Sequence, residues 1–482
     1  MTNVLIATSE CVPFIKTGGL ADVAGSLPKY IPKDEYDVRV VLPKYACIRD
    51  EYKYNLRYVK HFYINMSGRD QYVGIMETEY EGIKYYFIDN EEHFQGGQPY
   101  SGMPWDLGKF TYFCKAVLSM LPEIQFKPDV INCNDWQTAL IPAFLLGYKS
   151  NYGFYKDIKT VMTIHNLKFQ GIWNIEDVKR ETGLDDSFFN YDRFEFYGTA
   201  NLLKGGISYA DMVTTVSNTY AKEICSYEYG EGLDPLLVHR QDRLVGILNG
   251  IDYDVYNPEK DKFIYANYTA ADAIEKKAIN KRKLQEELGL EVDENKMLFG
   301  IISRLTDQKG LDLIRDVMHQ LMEDGIQLVV IGTGERGYED MFKYYDYEYS
   351  NQVSANICYN EKLAQKVYAS CDGFLMPSRF EPCGLSQLMS MRYGTIPVVR
   401  KTGGLADTVT DVSADPENGT GFVFEYYDSA SFLNSVREAE NIYRNDRKQW
   451  NEIVIRAMER DFSWNRSALE YCKLYQRVIK GE

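Results

Sequence analysis

The sequence predicts an α/β protein of two domains, each a parallel, doubly wound sheet with helices on both faces. At 482 residues the chain exceeds what one ordinary hydrophobic core serves, so two large domains are expected. Apolar runs of strand length alternate with helical stretches in both halves, the rhythm of a parallel sheet covered on both sides. In addition, Lys16-Thr-Gly-Gly-Leu-Ala-Asp22 returns as Lys401-Thr-Gly-Gly-Leu-Ala-Asp407. Each copy follows a strand region, so the halves share one loop chemistry, by duplication or by convergence.

Hydrophobic residues are 45% and charged residues 26% of the chain, as in soluble globular proteins. The formal charge of −16 argues against nucleic acid or an anionic membrane as partner. A small anionic ligand is still accessible wherever a few Lys and Arg converge. Nine cysteines without a C-x-x-C pair fit thiols packed in a reducing compartment. No segment has the length of a membrane span, and the opening Met-Thr-Asn lacks the basic flank of a signal peptide. The expected location is the cytoplasm. Tyr is abundant, at 39 residues, which suits sugar surfaces and cores alike.

Asn3 to Ser9 is a buried-strand pattern running into Lys16-Thr-Gly-Gly and a helix over about 21–30. Strand, glycine pair, helix is a layout that lets backbone approach a phosphate, with Lys16 adding charge; it equally describes a glycine-rich turn. Strands follow at 38–42 and through 87–89, then an exposed loop over 91–106, a helix over 107–121 and a strand over 129–133. Asp135 next stands where a helix cap or a functional carboxylate is expected. The strand at 160–164 ends in His165, at the sheet edge where ligands bind in open α/β folds, although a structural His also fits. With no His pair or acidic partner at ligand spacing, no protein-bound metal is expected. Strands at about 212–217 and 244–248 close the first half at Asn249-Gly-Ile-Asp252.

The second half restarts with a strand at 297–303, followed by Arg304 and Lys309 before a helix. Two cations on a loop at a strand's C-terminal edge make a candidate anion site. Further strands are expected at 327–331, 354–358, 373–376 and 395–399, with helices over 428–460 and 464–480. After 373–376 comes Ser378-Arg-Phe-Glu-Pro-Cys-Gly-Leu385, a broken loop opening a helix to Arg392. Free N–H groups at that helix start favour an anion, and Glu381 can accept hydrogen bonds from sugar hydroxyls.

These motifs together resemble the bacterial glycogen synthase and plant starch synthase family, ADP-glucose-dependent retaining glucosyltransferases. The resemblance runs end to end through Lys16–Val23, Thr163-Ile-His-Asn-Leu167, Leu248-Asn-Gly-Ile-Asp252, Ser303-Arg-Leu-Thr-Asp-Gln-Lys-Gly310 and Ser378–Leu385. It implies two Rossmann-like, doubly wound parallel-sheet domains facing across a deep cleft, the GT-B type. Residues 1–248 would form the acceptor side and 249–461 the nucleotide-sugar side, with a final helix, 462–482, packing back on the first domain.

Carried onto this sequence, the resemblance implies that Lys16, Gly18, Gly19 and Asp22 bind substrate, near the donor's phosphates and sugar. Arg304 and Lys309 would neutralise the departing diphosphate, and Glu381 would hold the glucose hydroxyls. Cys383, Gly384, Leu385 and Ser386 would shape the phosphate and sugar pocket, and Tyr359 would stack on the nucleobase. His165 would lie beside the anomeric carbon, with Asp135 and Asn249 near the donor glucose or acceptor. Two departures stand out. Many relatives read His-x-His-Asp-Trp where this chain has Asn132-Cys-Asn-Asp-Trp136, and Met389 stands where the wider superfamily often has a second Glu. No cofactor or metal is expected, only ADP-glucose as donor and an α-1,4-glucan such as glycogen as acceptor. Domain closure over the donor is expected as well. Competing readings are another retaining transferase using UDP-glucose, a sucrose- or trehalose-type synthase, a pyridoxal-dependent phosphorylase, and a catalytically silent glucan-binding paralogue.

Overall fold

The first unit of the protein is organised around a nine-stranded sheet, in a computed structural model that describes residues 1–102 and 104–482. The chain divides into two units, Met1–Asn249 with Trp464–Glu482, and Gly250–Ser463. In the first, β1 (Thr2–Ala7), β2 (Tyr36–Pro43), β3 (Arg57–Met66), β4 (Arg69–Tyr80), β5 (Ile83–Asp89), β6 (Val130–Asn134) and β7 (Lys159–Ile164) come before a small sheet. That sheet comprises β8 (Ile172–Trp173), β9 (Glu195–Phe196) and β10 (Thr199–Asn201), ordered β8-β10-β9; β11 (Met212–Thr215) and β12 (Leu244–Gly246) then complete the large one.

The large sheet runs β12-β11-β7-β6-β1-β2-β5-β4-β3. All pairings from β12 to β5 are parallel. Central strands of such a sheet are buried on both faces, which is why Val4-Leu-Ile-Ala7 is continuously apolar and almost fully buried. The β3–β4 hairpin adds two antiparallel strands at one edge. Its turn, Ser67-Gly68, has positive φ at both residues (53° and 80°), the two-residue geometry that matches strand twist. Strand order reverses at β1, so a ligand crevice is expected beyond the C-terminal ends of β1 and β6.

The loop after β1 is pinned from below. Phe14 is buried and meets Tyr85 and Phe87 edge-on at centroid distances of 4.9 and 5.0 Å. Gly25 lets the helix Gly19–Tyr30 close on this loop, since a Cβ there would lie 2.5 Å from the Val12 carbonyl oxygen. The C-terminal helix Trp464–Lys480 belongs to this same unit. Its Tyr475 hydroxyl accepts from Asn132 Nδ2 at 2.9 Å, and Gln476 Nε2 donates to Thr2 Oγ1 and Tyr36 Oη, each at 3.1 Å.

The second unit holds β13 (Leu298–Ile302), β14 (Gln327–Ile331), β15 (Val353–Asn356), β16 (Gly373–Met376), β17 (Ile396–Arg400) and β18 (Phe422–Phe424). Every pairing is parallel, in the order β15-β14-β13-β16-β17-β18. Renumbered within the unit this is 3-2-1-4-5-6, the Rossmann order, with its switch point between β13 and β16. Local differences from the sequence expectations are small. The strand expected at 354–358 ends at Asn356, and the loop expected over 91–106 opens with one helical turn, Glu91–Phe94. Asn90 caps that turn by accepting from Glu92 N, which explains the helix start. Among the described residues no helix is long and apolar enough to cross a membrane.

Candidate active site

In the second unit, the loops after β13 and β16 meet at the switch point because glycine lets them touch. Gly310 has φ 69°, and a Cβ on it would lie 1.9 Å from the Pro377 carbonyl oxygen. This approach brings Lys309 Nζ to 2.7 Å from Glu381 Oε2, which also accepts from Ser378 Oγ at 3.0 Å. Glu381 is 6% exposed, so these partners take the place of water around its carboxylate. Removing one would strand a buried charge. Arg304 follows β13 directly and is exposed. One cation is thus paired with a carboxylate across the loop pair, and a second, Arg304, lies on the first of these loops.

The Glu381 loop is held from behind by the second Lys-Thr-Gly-Gly copy. Gly404 N donates to the Glu381 carbonyl at 3.0 Å. Cβ atoms on Gly403 and Gly404 would lie 2.0 Å from the carbonyl oxygens of Glu381 and Cys383. Cys383 is buried, Gly384 adopts φ 71°, and Gln387 Nε2 donates to both their carbonyls at 3.0 and 3.1 Å. Leu385 and Ser386 are partly exposed at the start of the helix Ser386–Arg392. Tyr359 is 69% exposed on the loop after β15, two strands from β13, its hydroxyl on Glu361 at 2.7 Å.

In the first unit, the corresponding crevice is built around Glu10, a residue the sequence reading passed over. Glu10 follows β1 and is 3% exposed. Its carboxylate accepts from Thr17 N, from Thr17 Oγ1 at 2.7 Å, from Gly18 N at 3.2 Å and from the Tyr100 hydroxyl. It therefore fixes the backbone of the first Lys-Thr-Gly-Gly copy. Lys16 is ion-paired with Asp22 at 2.8 Å, and Gly18 has open space where a Cβ would go. Gly19 is exposed and begins the helix. The signal for Glu10 was positional: a carboxylate just past the C-terminal end of the central strand.

Asp135 and His165 lie together after β6 and β7. Asp135 does not cap a helix, one of the two roles open from sequence. Its Oδ1 accepts from His165 N at 2.7 Å, while its backbone sits at φ 55°, ψ −176°, a region normally reserved for glycine. Such strain persists only where surrounding structure imposes it. Burial, partly opposed by backbone N–H groups of His165 and Asn166, raises the Asp135 carboxyl from an ordinary 3.8 to about 7. Burial likewise lowers His165 to about 3, so the ring is neutral across the physiological range. Its Nε2 lies 2.8 Å from Asn134 Oδ1, an acceptor, which puts the proton on Nε2 and the lone pair on Nδ1. The two Asn residues that depart from the family pattern are thus accounted for. Asn132 ties the sheet to Tyr475, and Asn134 sets the tautomer of His165. Asn249 is buried beyond β12, and its Oδ1 has no hydrogen-bond partner among the described residues; the same holds for Ser303 Oγ in the second unit. Orphaned buried acceptors and hydroxyls at sheet edges are groups a polar ligand can satisfy. Among the described residues no group of three His, Cys, Asp or Glu is placed to hold a metal.

Two Rossmann-like units, each with a glycine loop and charged residues at its switch point, are the architecture of the GT-B glycosyltransferases. Comparison with known proteins narrows this. Residues 3–239 match the family model for the starch synthase catalytic domain, and residues 280–456 match that of glycosyl transferases group 1. The chain is 56% identical to a glycogen synthase of Lachnospira eligens and 52% identical to one of Lachnoclostridium phytofermentans, in each case over 99% of this chain and 100% of the relative. Among solved structures it superposes on the catalytic domain of starch synthase IV from Arabidopsis thaliana, bound to ADP and acarbose, with TM-score 0.92 and 34% identity over 99% of both chains. A sucrose-phosphate synthase from Thermosynechococcus elongatus shares the fold, with TM-score 0.62 and 15% identity over 100% of both chains. The chain belongs to the glycogen synthase family.

Proposed function

We propose that this chain extends an α-1,4-glucan by transferring glucose from ADP-glucose to its non-reducing end, with retention at the anomeric carbon. The observation that supports the reading most directly is the buried Glu381 carboxylate, paired at the switch point with Lys309, on a loop that also carries Arg304. In this role Lys309 and Arg304 stabilise charge gathering on the diphosphate, and Glu381 orients the glucose hydroxyls. Cys383, Gly384, Leu385 and Ser386 line the phosphate and sugar contacts, and Tyr359 stacks on adenine. Lys16 and the backbone at Gly18 and Gly19 take further phosphate and sugar contacts, with Asp22 holding Lys16. Asn249 serves the donor glucose or acceptor.

The bond from C1 of glucose to the diphosphate oxygen breaks, and the acceptor's 4-hydroxyl oxygen bonds to C1 from the same face. Its proton passes to the departing ADP. His165, held neutral to about pH 3, is a poor base at neutral pH, which favours the diphosphate as proton acceptor. It acts as a hydrogen-bonding group beside the sugar, positioned by Asp135. The nine cysteines are all free thiols, which suits work in the cytoplasm.

Nucleotide release from ADP-glucose and from UDP-glucose, each with and without glycogen, tests the reading. Glycogen-dependent release of ADP, with little UDP, is expected. Equal or greater release of UDP would overturn the donor assignment, and no release from either would overturn the enzymatic one.

A further inference from the structure

Gln387 is fully buried behind the loop that carries Glu381, and its side-chain amide is spent on that loop. Nε2 donates to the carbonyls of Cys383 and Gly384 at 3.0 and 3.1 Å, and to Thr408 Oγ1 at 3.2 Å. The Thr408 hydroxyl gives its own proton to the Gly404 carbonyl at 2.6 Å. All three neighbours can therefore only accept, which fixes the amide with its nitrogen toward them. Its Oε1 has no hydrogen-bond partner among the described residues. A buried oxygen left in that state is costly, and a side chain that merely filled the space would avoid it. Gly384 makes the arrangement possible: it sits at φ 71°, and a Cβ on it would lie 2.4 Å from Oε1.

The consequence lies on the far side of the two peptides. In a trans peptide the carbonyl and the following N–H point in opposite directions. With the Cys383 and Gly384 carbonyls turned toward the buried amide, the N–H groups of Gly384 and Leu385 face the other way, toward the partly exposed side of the loop. Neither N–H donates to any of the described residues. Gly384 in the left-handed region, followed by Leu385 at φ −117°, ψ −30°, is the alternation that aims successive N–H groups into one anion-binding concavity. We propose that Gln387 is a positioning residue of the donor site: by holding two carbonyls back, it presents two N–H groups to the diphosphate as charge gathers there. Through Thr408 and Gly404, the helix of the second Lys-Thr-Gly-Gly copy, Gly403–Thr408, belongs to the same support. The proposal rests on the reading of this loop as a phosphate contact of the donor, and it deepens that reading by naming the residue that orients the loop's peptides.

The test compares Gln387→Met, which keeps the side chain's volume and loses its donors, with Gln387→Glu, each in the full chain. ADP affinity is read by calorimetry; kcat and KM are read for ADP-glucose and for glycogen. The Met variant should bind ADP about tenfold more weakly, as for lost hydrogen bonds to a charged group. Its kcat should fall about ten- to a hundredfold, because charge on the diphosphate is greatest in the transition state. Its KM for glycogen should stay at the wild-type value. The Glu variant carries the sharper signature. Burial among carbonyls raises the new carboxyl's pKa, so at low pH it is protonated and donates one O–H to them. Its kcat/KM for ADP-glucose, divided by that of the wild type, should therefore climb about three- to tenfold from about pH 8.5 to about pH 6, while the ratio for the Met variant stays flat. A ratio equally flat in both variants, or a glycogen KM that rises along with that for ADP-glucose, would overturn the proposal. If the Met variant fails to fold, the pH trend of the Glu variant decides alone. A wild-type protein that binds no ADP would fault the donor reading and the proposal with it. A wild type that binds ADP, matched by both variants, would overturn the role of Gln387 and leave the donor reading standing.

Discussion

In the first Lys-Thr-Gly-Gly-Leu-Ala-Asp copy, a Cβ on Gly18 would meet nothing within 4 Å, whereas in the second a Cβ on the matching Gly403 would lie 2.0 Å from the Glu381 carbonyl. The flanking residues diverge in the same sense. Thr17 hydrogen-bonds Glu10 at the mouth of a crevice, while Thr402 is 1% exposed. Lys16 is drawn in to Asp22, and Lys401 is exposed. One copy's missing side chains leave open space; the other's let two backbones touch. Identical residues therefore carry two meanings, set by what the preceding strands and loops bring alongside.

The largest effect that sharpens this contrast is expected where the second copy's support is spent, at Lys309. Lys309→Ala leaves Glu381 buried without its cation, and thermal or denaturant unfolding should show a loss of about 3–5 kcal/mol. Activity should fall with it, because the same pair is assigned to the donor. Next, Gly404→Ala should cost about 1–3 kcal/mol by forcing the Cys383 carbonyl away. Gly18→Ala should stay within about 1 kcal/mol of wild type, since cap loss and chain-entropy gain offset. It should nevertheless cut kcat/KM for the donor, because the added methyl fills ligand space. Equal destabilisation by the two changes would break the comparison.

A third effect is confined to the first copy's side and is read in pH. Asp135 is raised from 3.8 to about 7, so its share of stability is complete at low pH and is lost as pH rises through that interval. His165 is lowered from 6.5 to about 3, so its share is complete above 6.5 and is lost as pH falls toward 3. Between about pH 4 and 6.5 the two slopes, each at most about 1.4 kcal/mol per pH unit, oppose one another. Asp135→Asn should leave a stability that climbs with pH across this window, and His165→Gln one that declines. Parallel profiles in the two variants would show the groups to be solvated. The smallest effect is expected for Lys401→Ala, an exposed residue, whose unfolding free energy should move by less than about 0.5 kcal/mol.

Much of this was legible from residues alone, for physical reasons that can be named. Gln327–Ile331 and Gly373–Met376 are strands at the bounds their apolar runs suggest, because a strand buried on both faces has no polar position to blur its ends. The Lys309 and Glu381 motifs could be picked out as charged residues on strand-to-helix loops. Their contact could not, since it depends on Gly310 closing against Pro377, 67 residues on in the chain. Glu10 escaped notice because its partners Thr17 and Tyr100 share no periodicity with it, and Tyr100 comes from a separate loop. Asp135 stayed open between a cap and a functional carboxylate because caps and strained crevice carboxylates use the same residue type at the same place. Only its backbone angles separate the two.

The tie between Asn132 and Tyr475 has a consequence for how the protein is made. The first unit is completed by a stretch of chain made after the whole of the second unit, while the second unit is one uninterrupted segment. Residues emerging first must wait, their sheet face uncovered, until Trp464–Lys480 has been made, whereas Gly250–Ser463 can close as soon as it is out. The order of maturation is then the reverse of the order of synthesis. A ribosome-stalled chain ending before Trp464 should accordingly yield a protease-resistant second unit and a digestible first one.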